Sequence, residues 1–339
     1  MAETLKVFIP MAGWGTRMRP QTWSKPKPLV SVAGKTTLEH LMCMFDSLPD
    51  PANVEYIFIV GAYLGEVQIP AFVKNHYPDI KAHYVTQAEM KGQSHALWMA
   101  REFMHGPMMV VFSDSIIETD LAFLDTEEAD GVAWVLPFPD PRRFGVAEVG
   151  PDGWVKRFIE KPTSMENNLV AIGCYYFKSS EKVLAAIEEQ MERNLKLKGE
   201  FFLTDTISVM IEKGAKIRTH KGNSWLDTGT IEATLDTNVY MLDHGHDNSE
   251  EAAKRSGVTI IPPVFIHPSA KVATSVIGPH VSVGPDCDVN SCVIRNTILD
   301  EGSEVTNSVM DSSFIGRDAK VEGHPTKVNI GDDSSVINP

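Results

Sequence analysis

Cysteine is scarce in this chain. The four residues, Cys43, Cys174, Cys287 and Cys292, form no Cys-x-x-Cys pair, and their scatter fits buried thiols in a reducing cytoplasm. Long apolar runs are missing too. No stretch approaches the length of a membrane-spanning helix, so no membrane partner is expected. The opening residues Met-Ala-Glu-Thr-Leu-Lys lack the basic and apolar regions of a secretory signal. Together these absences predict a cytoplasmic location. Positive charge is in deficit: the net charge of −14 argues against nucleic acid as a partner. Nor is a Ser-His-Asp or Cys-His set evident, so no nucleophilic side chain is indicated.

What the chain has is length and one dense motif. Its 339 residues suffice for a catalytic domain of ordinary size and a smaller second one. The apolar run Leu5 to Ile9 reads as a buried strand. It leads into Ala12-Gly13-Trp14-Gly15-Thr16-Arg17, and Lys27 stands ten positions beyond Arg17 in Lys25-Pro26-Lys27-Pro28. Ala12, Gly13 and Gly15 carry little bulk, so backbone N–H groups there can form an anion-binding concavity. Thr16, Arg17 and Lys27 add a hydroxyl and two cations, which makes this a phosphate site by composition. Pro20, Pro26 and Pro28 exclude a long helix directly after the glycines, unlike a dinucleotide-binding loop. Gly34-Lys35-Thr36 imitates the end of a Walker A loop, but Leu29 stands where its glycine is required. An acidic protein that binds phosphates needs such local cations.

Strand-like and helix-like segments alternate through residue 243. The apolar runs Tyr56–Val60, Met108–Phe112 and Gly131–Phe138 predict a mostly parallel sheet covered on both faces, in a three-layer α/β domain. The polar stretch 244–257, with His244 and His246, reads as a solvated linker rather than a metal site. From Val258 on, branched aliphatics recur every six residues: Ile266 and Val272; Ile277, Val283 and Val289; Leu299 and Val305; Val309, Ile315 and Val321; Ile330 and Val336. That period marks a parallel β-helix. The expected domains are therefore 1–243, a linker at 244–257, and a β-helix at 258–339.

Further candidates lie at the ends of predicted strands. Gln87, in Gln87-Ala88-Glu89-Met90-Lys91-Gly92, carries an amide that can donate and accept, and so match a pyrimidine edge; it reads equally as a loop glutamine in solvent. Asp114 sits where α/β sheets bind ligands, and Asp227 precedes a predicted helix; each also fits a helix cap. Glu160-Lys161-Pro162 by itself is a surface pair of little consequence.

Taken together and in order, these strings resemble the sugar-1-phosphate nucleotidylyltransferases, the NDP-sugar pyrophosphorylases. Gly15-Thr16-Arg17 followed by Lys27 matches their signature loop, with Ala12 where the family usually has glycine. Gln87 and Gly92, Asp114, Gly145, Glu160-Lys161, Gly173 and Trp225-x-Asp227-Thr228-Gly229-Thr230 match further family strings, and Leu203-Thr204-Asp205 matches one read as structural. The matches span nearly all of residues 5 to 240. The resemblance implies a Rossmann-like nucleotidyltransferase domain and, for the repeats, a left-handed β-helix of the hexapeptide kind. It implies nucleotide binding by Ala12, Gly13, Gly15, Thr16, Arg17, Lys27, Gln87 and Gly92. It implies sugar-phosphate binding by Gly145, Glu160, Lys161 and Gly173, and Mg²⁺ held by Asp114 and Asp227. Arg17, Lys27 and Lys161 would be the catalytic cations. The implied reaction joins a sugar 1-phosphate, best glucose 1-phosphate, to dTTP or UTP with release of pyrophosphate.

Three rivals stand beside this reading. One is a non-catalytic regulatory relative; another is a mannose-1-phosphate guanylyltransferase. The third is a bifunctional enzyme whose β-helix also transfers an acyl group, with His267, His280 or His324 as base. A short β-helix favours a structural or oligomerising role, so a homo-oligomer is expected.

Overall fold

A computed structural model describes residues 3–324; Ile330 and Val336 of the predicted repeat lie outside the described residues. The chain divides into two units, residues 1–30 with 35–234, and residues 31–34 with 235–339.

The first unit is built on a nine-stranded sheet. Strands Lys81–Gln87, Val54–Gly61, Leu5–Met11 and Met108–Val111 lie side by side and parallel. Beyond them Leu169–Phe177 runs antiparallel, between Met108–Val111 and Gly131–Pro137, and Ile217–Lys221 continues parallel to the latter. The sheet is thus parallel through its first half and mixed in its second. Alternation along Leu5–Met11 shows why no polar residue interrupts it from Val7 to Met11. Val7, Ile9 and Met11 join one core, capped by the helices Thr37–Met44 and Leu64–His76. Phe8 joins the other, under Gln93–Met99, Ser180–Glu192 and Leu203–Glu212. Both faces are covered, so the run stays apolar on both sides of the strand. A hairpin turning at Pro151-Asp152-Gly153 pairs Gly145–Val149 with Val155–Glu160.

The imitation Walker sequence has a structural purpose. Thr36 Oγ1 accepts the Glu39 N–H at 3.2 Å and the Glu39 carboxylate accepts the Thr36 N–H at 2.7 Å, a capping box that starts the helix Thr37–Met44.

The second unit is a parallel β-helix with three faces, four strands stacked on each among the described residues, consistent with the left-handed kind that the resemblance implies. Ile260, Ile277, Ile294 and Met310 stack on one face; Ile266, Val283, Leu299 and Ile315 on the next; Val272, Val289, Val305 and Val321 on the third. Each stack advances 17 or 16 residues per coil rather than 18, because one or two corners of a coil take five residues and not six. This corrects the strict six-residue period at two places. Ile294 is inward and fully buried, although no six-step reaches it. Val309 is 85% exposed, and its neighbour Met310 fills the interior instead.

Residues 244–257, expected as a solvated linker, are mostly exposed but anchored at Asn248, Ser249 and Ala252. They hold the short helix Ser249–Ala252, and Asn248 bonds both the N–H and the carbonyl of Ile266 at 2.9 Å. His244 stacks on Tyr240 at 3.9 Å and bonds its carbonyl.

Candidate active site

Strand Leu5–Met11 ends at the loop that carries the phosphate motif. Gly15 adopts φ 59°, and its carbonyl accepts the Thr22 hydroxyl at 2.8 Å. Only a three-residue 3₁₀ turn, Thr16–Met18, follows, as the prolines require. The loop is held from beneath by Gly61 at the end of the neighbouring strand: a Cβ there would stand 2.7 Å from the Ala12 carbonyl oxygen. Gly13, by contrast, faces open space. Ala12, Gly13, Gly15, Thr16, Arg17 and Lys27 line a cleft of about 510 Å³, together with Gln87, Gly92, Gln93 and Asp114.

Gln87 is buried at the end of strand Lys81–Gln87, not a solvated loop residue. Its amide nitrogen lies 3.3 Å from the Gly92 carbonyl and 3.3 Å from His95 Nδ1. Those contacts commit its donors, so the amide oxygen is the group offered to a ligand. Gly92 takes φ 100°, and a Cβ would fall 2.4 Å from the Phe201 carbonyl oxygen. Its glycine is a requirement of the backbone.

A second cleft, of about 550 Å³, is lined by Gly145, Glu160, Lys161 and Gly173, all four of the sugar-phosphate candidates. Arg17, Gln93, Phe112 and Asp114 line both clefts, so the two meet there. Glu160 is largely buried, and burial pushes its carboxyl above the usual range, opposed by the Thr204 hydroxyl donating at 3.0 Å and by Lys161 at 3.7 Å. Thr204, read from sequence as structural, therefore orients a site carboxylate. Lys161 takes φ 47° and lies 4.2 Å over the Phe202 ring. Gly145 has no room for a side chain, since a Cβ would come within 2.5 Å of Thr204 and 2.9 Å of Glu160. Gly173, at φ 82°, sits where the strand register shifts between Ala171 and Tyr175.

The two aspartates converge through strand pairing. Asp227 ends Ser224–Asp227, which pairs antiparallel with Ser115–Glu118 so that Asp227 faces Ser115, next to Asp114. Thr228 closes the arrangement, its N–H and hydroxyl both donating to the Asp114 carbonyl at 3.2 and 3.0 Å. Neither aspartate caps a helix. The helix Ile231–Asp243 is started by Thr230, whose hydroxyl accepts the Ala233 N–H at 3.2 Å, and Asp114 precedes a strand. Lys27 Nζ lies 3.6 Å from Asp114 Oδ2. Burial pulls this ammonium below its ordinary value, while Asp114 and Asp227 pull it back up and Arg17 adds to the lowering. Arg17 itself forms no ion pair among the described residues.

Sequence reasoning passed over several lining residues. Arg142, Arg143 and Lys198 add cations to the second cleft, and Phe144 and Trp225, 5.0 Å apart edge to face, form an aromatic wall. The aromatic wall had one available signal, the Trp225-x-Asp227 string. Lys25, two residues before Lys27, is buried and lines a third cavity of about 240 Å³.

Comparison with known proteins places the fold in a family. A family profile described as nucleotidyl transferase matches residues 6–244, and one described as GMPPB C-terminal domain matches residues 260–336. The chain belongs to the nucleotidyl transferase family. A glucose-1-phosphate thymidylyltransferase of Streptomyces griseus is 25% identical over 97% of this chain and 98% of its own length. The low-salt glycan biosynthesis nucleotidyltransferase Agl11 of Haloferax volcanii is 28% identical over 94% of both. The bifunctional protein GlmU of Methanococcus vannielii is 32% identical over 70% of this chain, which spans 55% of that protein. Among solved structures, one assigned as a glucose-1-phosphate thymidylyltransferase from Bacillus anthracis superimposes with a TM-score of 0.59 at 23% identity, covering 70% of this chain and 94% of that one. A UDP-glucose pyrophosphorylase solved with UDP-glucose gives 0.58 at 19%, covering 72% and 100%. Among the described residues no helix is long and apolar enough to cross a membrane.

Proposed function

We propose that this chain joins a sugar 1-phosphate, best glucose 1-phosphate, to dTTP or UTP, giving the nucleoside diphosphate sugar and pyrophosphate. The observation that carries this reading is the meeting of two clefts at Arg17 and Asp114, one lined by the phosphate loop and Gln87, the other by Glu160 and Lys161. A donor triphosphate occupies the first. Its phosphates lie along Gly13, Gly15 and Thr16, with Lys27 on their far side. The acceptor occupies the second, its phosphate on Lys161 and its hydroxyls on Glu160, while Gly145 and Gly173 keep the floor open. An acceptor phosphate oxygen then attacks the α-phosphorus, and the bond to the pyrophosphate oxygen breaks in line. No protein nucleophile is needed. The rate comes from positioning and from cations aimed at the charge that develops, Arg17 foremost.

Asp114 and Asp227 fit Mg²⁺, which takes one or two carboxylates along with phosphate oxygens and water. Among the described residues no cluster of three or more metal-binding side chains exists, so any ion here depends on the substrate for its remaining ligands. Bound in that way, Mg²⁺ supplies charge neutralisation to the phosphates. The same reading makes the protein a cytoplasmic homo-oligomer joined through its β-helix.

A second reading has its own support. With the Gln87 amide nitrogen turned to Gly92 and His95, the oxygen accepts from guanine N1–H as readily as from pyrimidine N3–H. The match of residues 260–336 to a GMPPB C-terminal domain fits a guanylyltransferase acting on mannose 1-phosphate. Incubation with each of dTTP, UTP, GTP, CTP and ATP against glucose and mannose 1-phosphates, with pyrophosphate as the readout, separates the two. Highest turnover with dTTP or UTP and glucose 1-phosphate is the expected result. A clear preference for GTP replaces the first reading with the second, and no pyrophosphate from any pair removes both.

A further inference from the structure

Residues 31–34 belong to the second unit, although the chain on either side of them belongs to the first. The excursion begins four residues after Lys27. A set of bonds made wholly within the second unit holds it. Asn238 is buried, and its Oδ1 accepts the Ala33 N–H at 3.0 Å and the Ser282 hydroxyl at 2.6 Å. Its amide nitrogen donates to the His280 carbonyl at 3.2 Å. Ser31 Oγ donates to Asp300 Oδ1 at 3.1 Å. Ala33 and Gly34 both take positive φ, 46° and 82°, and a Cβ on Gly34 would fall 2.4 Å from the Phe265 ring. An alanine at positive φ is held there by its surroundings and relaxes when they are lost.

On the first-unit side the bonding is equally continuous. Thr37 donates its N–H and its hydroxyl to the Val30 carbonyl at 3.0 and 3.2 Å, and Val30 donates its N–H to the Lys27 carbonyl at 3.0 Å. The backbone of Lys27 is therefore tied, through three intervening residues, to a segment that Asn238 fixes.

We infer that Asn238 is a positioning residue for Lys27: by pinning Ala33 it sets the backbone from which the lysine reaches toward Asp114 and the phosphates. This rests on the reading of Lys27 as a phosphate-binding residue. A buried polar group bonded through both its oxygen and its nitrogen is a rigid anchor, and its loss strands the Ala33 N–H and the Ser282 hydroxyl. Small misplacements of a charged group beside a reacting phosphate cost up to about a hundredfold in rate.

The experiment compares Asn238→Ala with Arg255→Ala in the full chain. Arg255 bonds the Ala270 and His267 carbonyls elsewhere in the second unit, so its loss loosens that unit without touching residues 31–34. Hydrogen–deuterium exchange is followed on peptides covering 24–30 and 31–36, and kcat and KM by pyrophosphate release. Asn238→Ala is expected to speed exchange in both peptides and to lower kcat about ten- to a hundredfold, with melting still well above the assay temperature. Arg255→Ala is expected to change neither peptide and to leave kcat within about twofold. Faster exchange confined to 31–36 with kcat unchanged overturns the inference, as does an equal loss of kcat in Arg255→Ala. Should Asn238→Ala fail to fold, Ser282→Ala removes one bond to the same oxygen and must show the same pattern in smaller measure; unchanged exchange in 24–30 then overturns it. A wild-type protein with no transferase activity would count against the functional reading alone, because the exchange comparison needs no substrate.

Discussion

The β-helix and the clefts of the α/β unit handle charge differently. On the β-helix, cations face anions one coil away. Arg295 meets Asp311 at 2.9 Å, Arg317 meets Glu301 at 3.2 Å and Lys320 meets Glu304 at 2.8 Å. Two of these pairs follow directly from register, since Arg295 lies opposite Asp311 and Glu304 opposite Lys320. At the clefts of the α/β unit the cations stay less satisfied. Arg17 has no ion pair among the described residues, Lys27 lies near two aspartates, and Lys161 rests on a phenylalanine ring with Glu160 only at 3.7 Å. A chain with net charge −14 thus holds a local cationic site. Whether a charge is neutralised by its own protein tells more about its use than how many charges there are.

That contrast breaks most visibly at two arginines. Arg17→Ala removes a cation that has no anionic partner among the described residues, and is expected to lower kcat about a hundredfold or more while the fold is kept. Arg317→Ala removes one from an exposed pair, worth about 0–1 kcal/mol, and leaves turnover unchanged. Steady-state kinetics on both variants, with circular dichroism as the fold control, decides. Near-normal turnover in Arg17→Ala would take that residue out of the mechanism.

Legibility also differs between the units. The α/β layering was readable because strands buried on both faces leave unbroken apolar runs, as in Tyr56–Val60. The antiparallel placement of Leu169–Phe177 was not, because register is a property of partners that an apolar run does not name. Among site residues, glycines and charges in fixed strings were readable. Thr204 and Gly61 were missed: one orients Glu160 and the other approaches Ala12, and both contacts join positions remote in sequence. In the β-helix, aliphatic spacing revealed the architecture but misplaced Val309. A corner that closes in five residues shifts the inward position by one, and two aliphatics in a row, Val309-Met310, satisfy either register.

That ambiguity can be tested on a single face of the β-helix. Ile294→Ala empties a fully buried inward position and is expected to cost about 2–5 kcal/mol, read as a lower denaturation midpoint of the β-helix. Val309→Ala, one residue from the inward Met310, trims a side chain 85% exposed and is expected to change stability by no more than about 0.5 kcal/mol. Equal losses would restore the uniform six-residue register. Neither change should alter kcat at temperatures where both units are folded.

The smallest of these effects concerns a carboxylate whose burial opposes stability. Burial raises the Glu160 carboxyl above its ordinary value, with Asp205 adding to the rise and Thr204 and Lys161 opposing it. Between the ordinary value and the raised one, the folded protein holds more protons at this site than the unfolded chain. Stability therefore falls as pH rises through that window, and above it the cost of the buried anion is fully present. Glu160→Gln keeps an oxygen to accept the Thr204 hydroxyl and carries no charge. Its melting temperature should exceed that of wild type by roughly 2–4 °C at neutral pH, as about 1 kcal/mol gives a domain of 150–250 residues. The margin should shrink toward acid pH. Function should move the other way, because hydrogen bonds from sugar hydroxyls to a charged acceptor are worth more than those to a neutral one, and KM for the sugar 1-phosphate should rise about tenfold. On the β-helix, where the carboxylate of Glu304 faces Lys320 in solvent, Glu304→Gln should leave that KM unchanged. Melting curves from pH 4 to 8 and KM at pH 7.5 test both halves. If the Glu160→Gln variant, relative to wild type, is less stable at neutral pH than at acid pH, then Glu160 is a structural anion. Thr204 and Lys161 would then hold it for the sake of the fold, rather than its being kept ionised at a cost for its ligand.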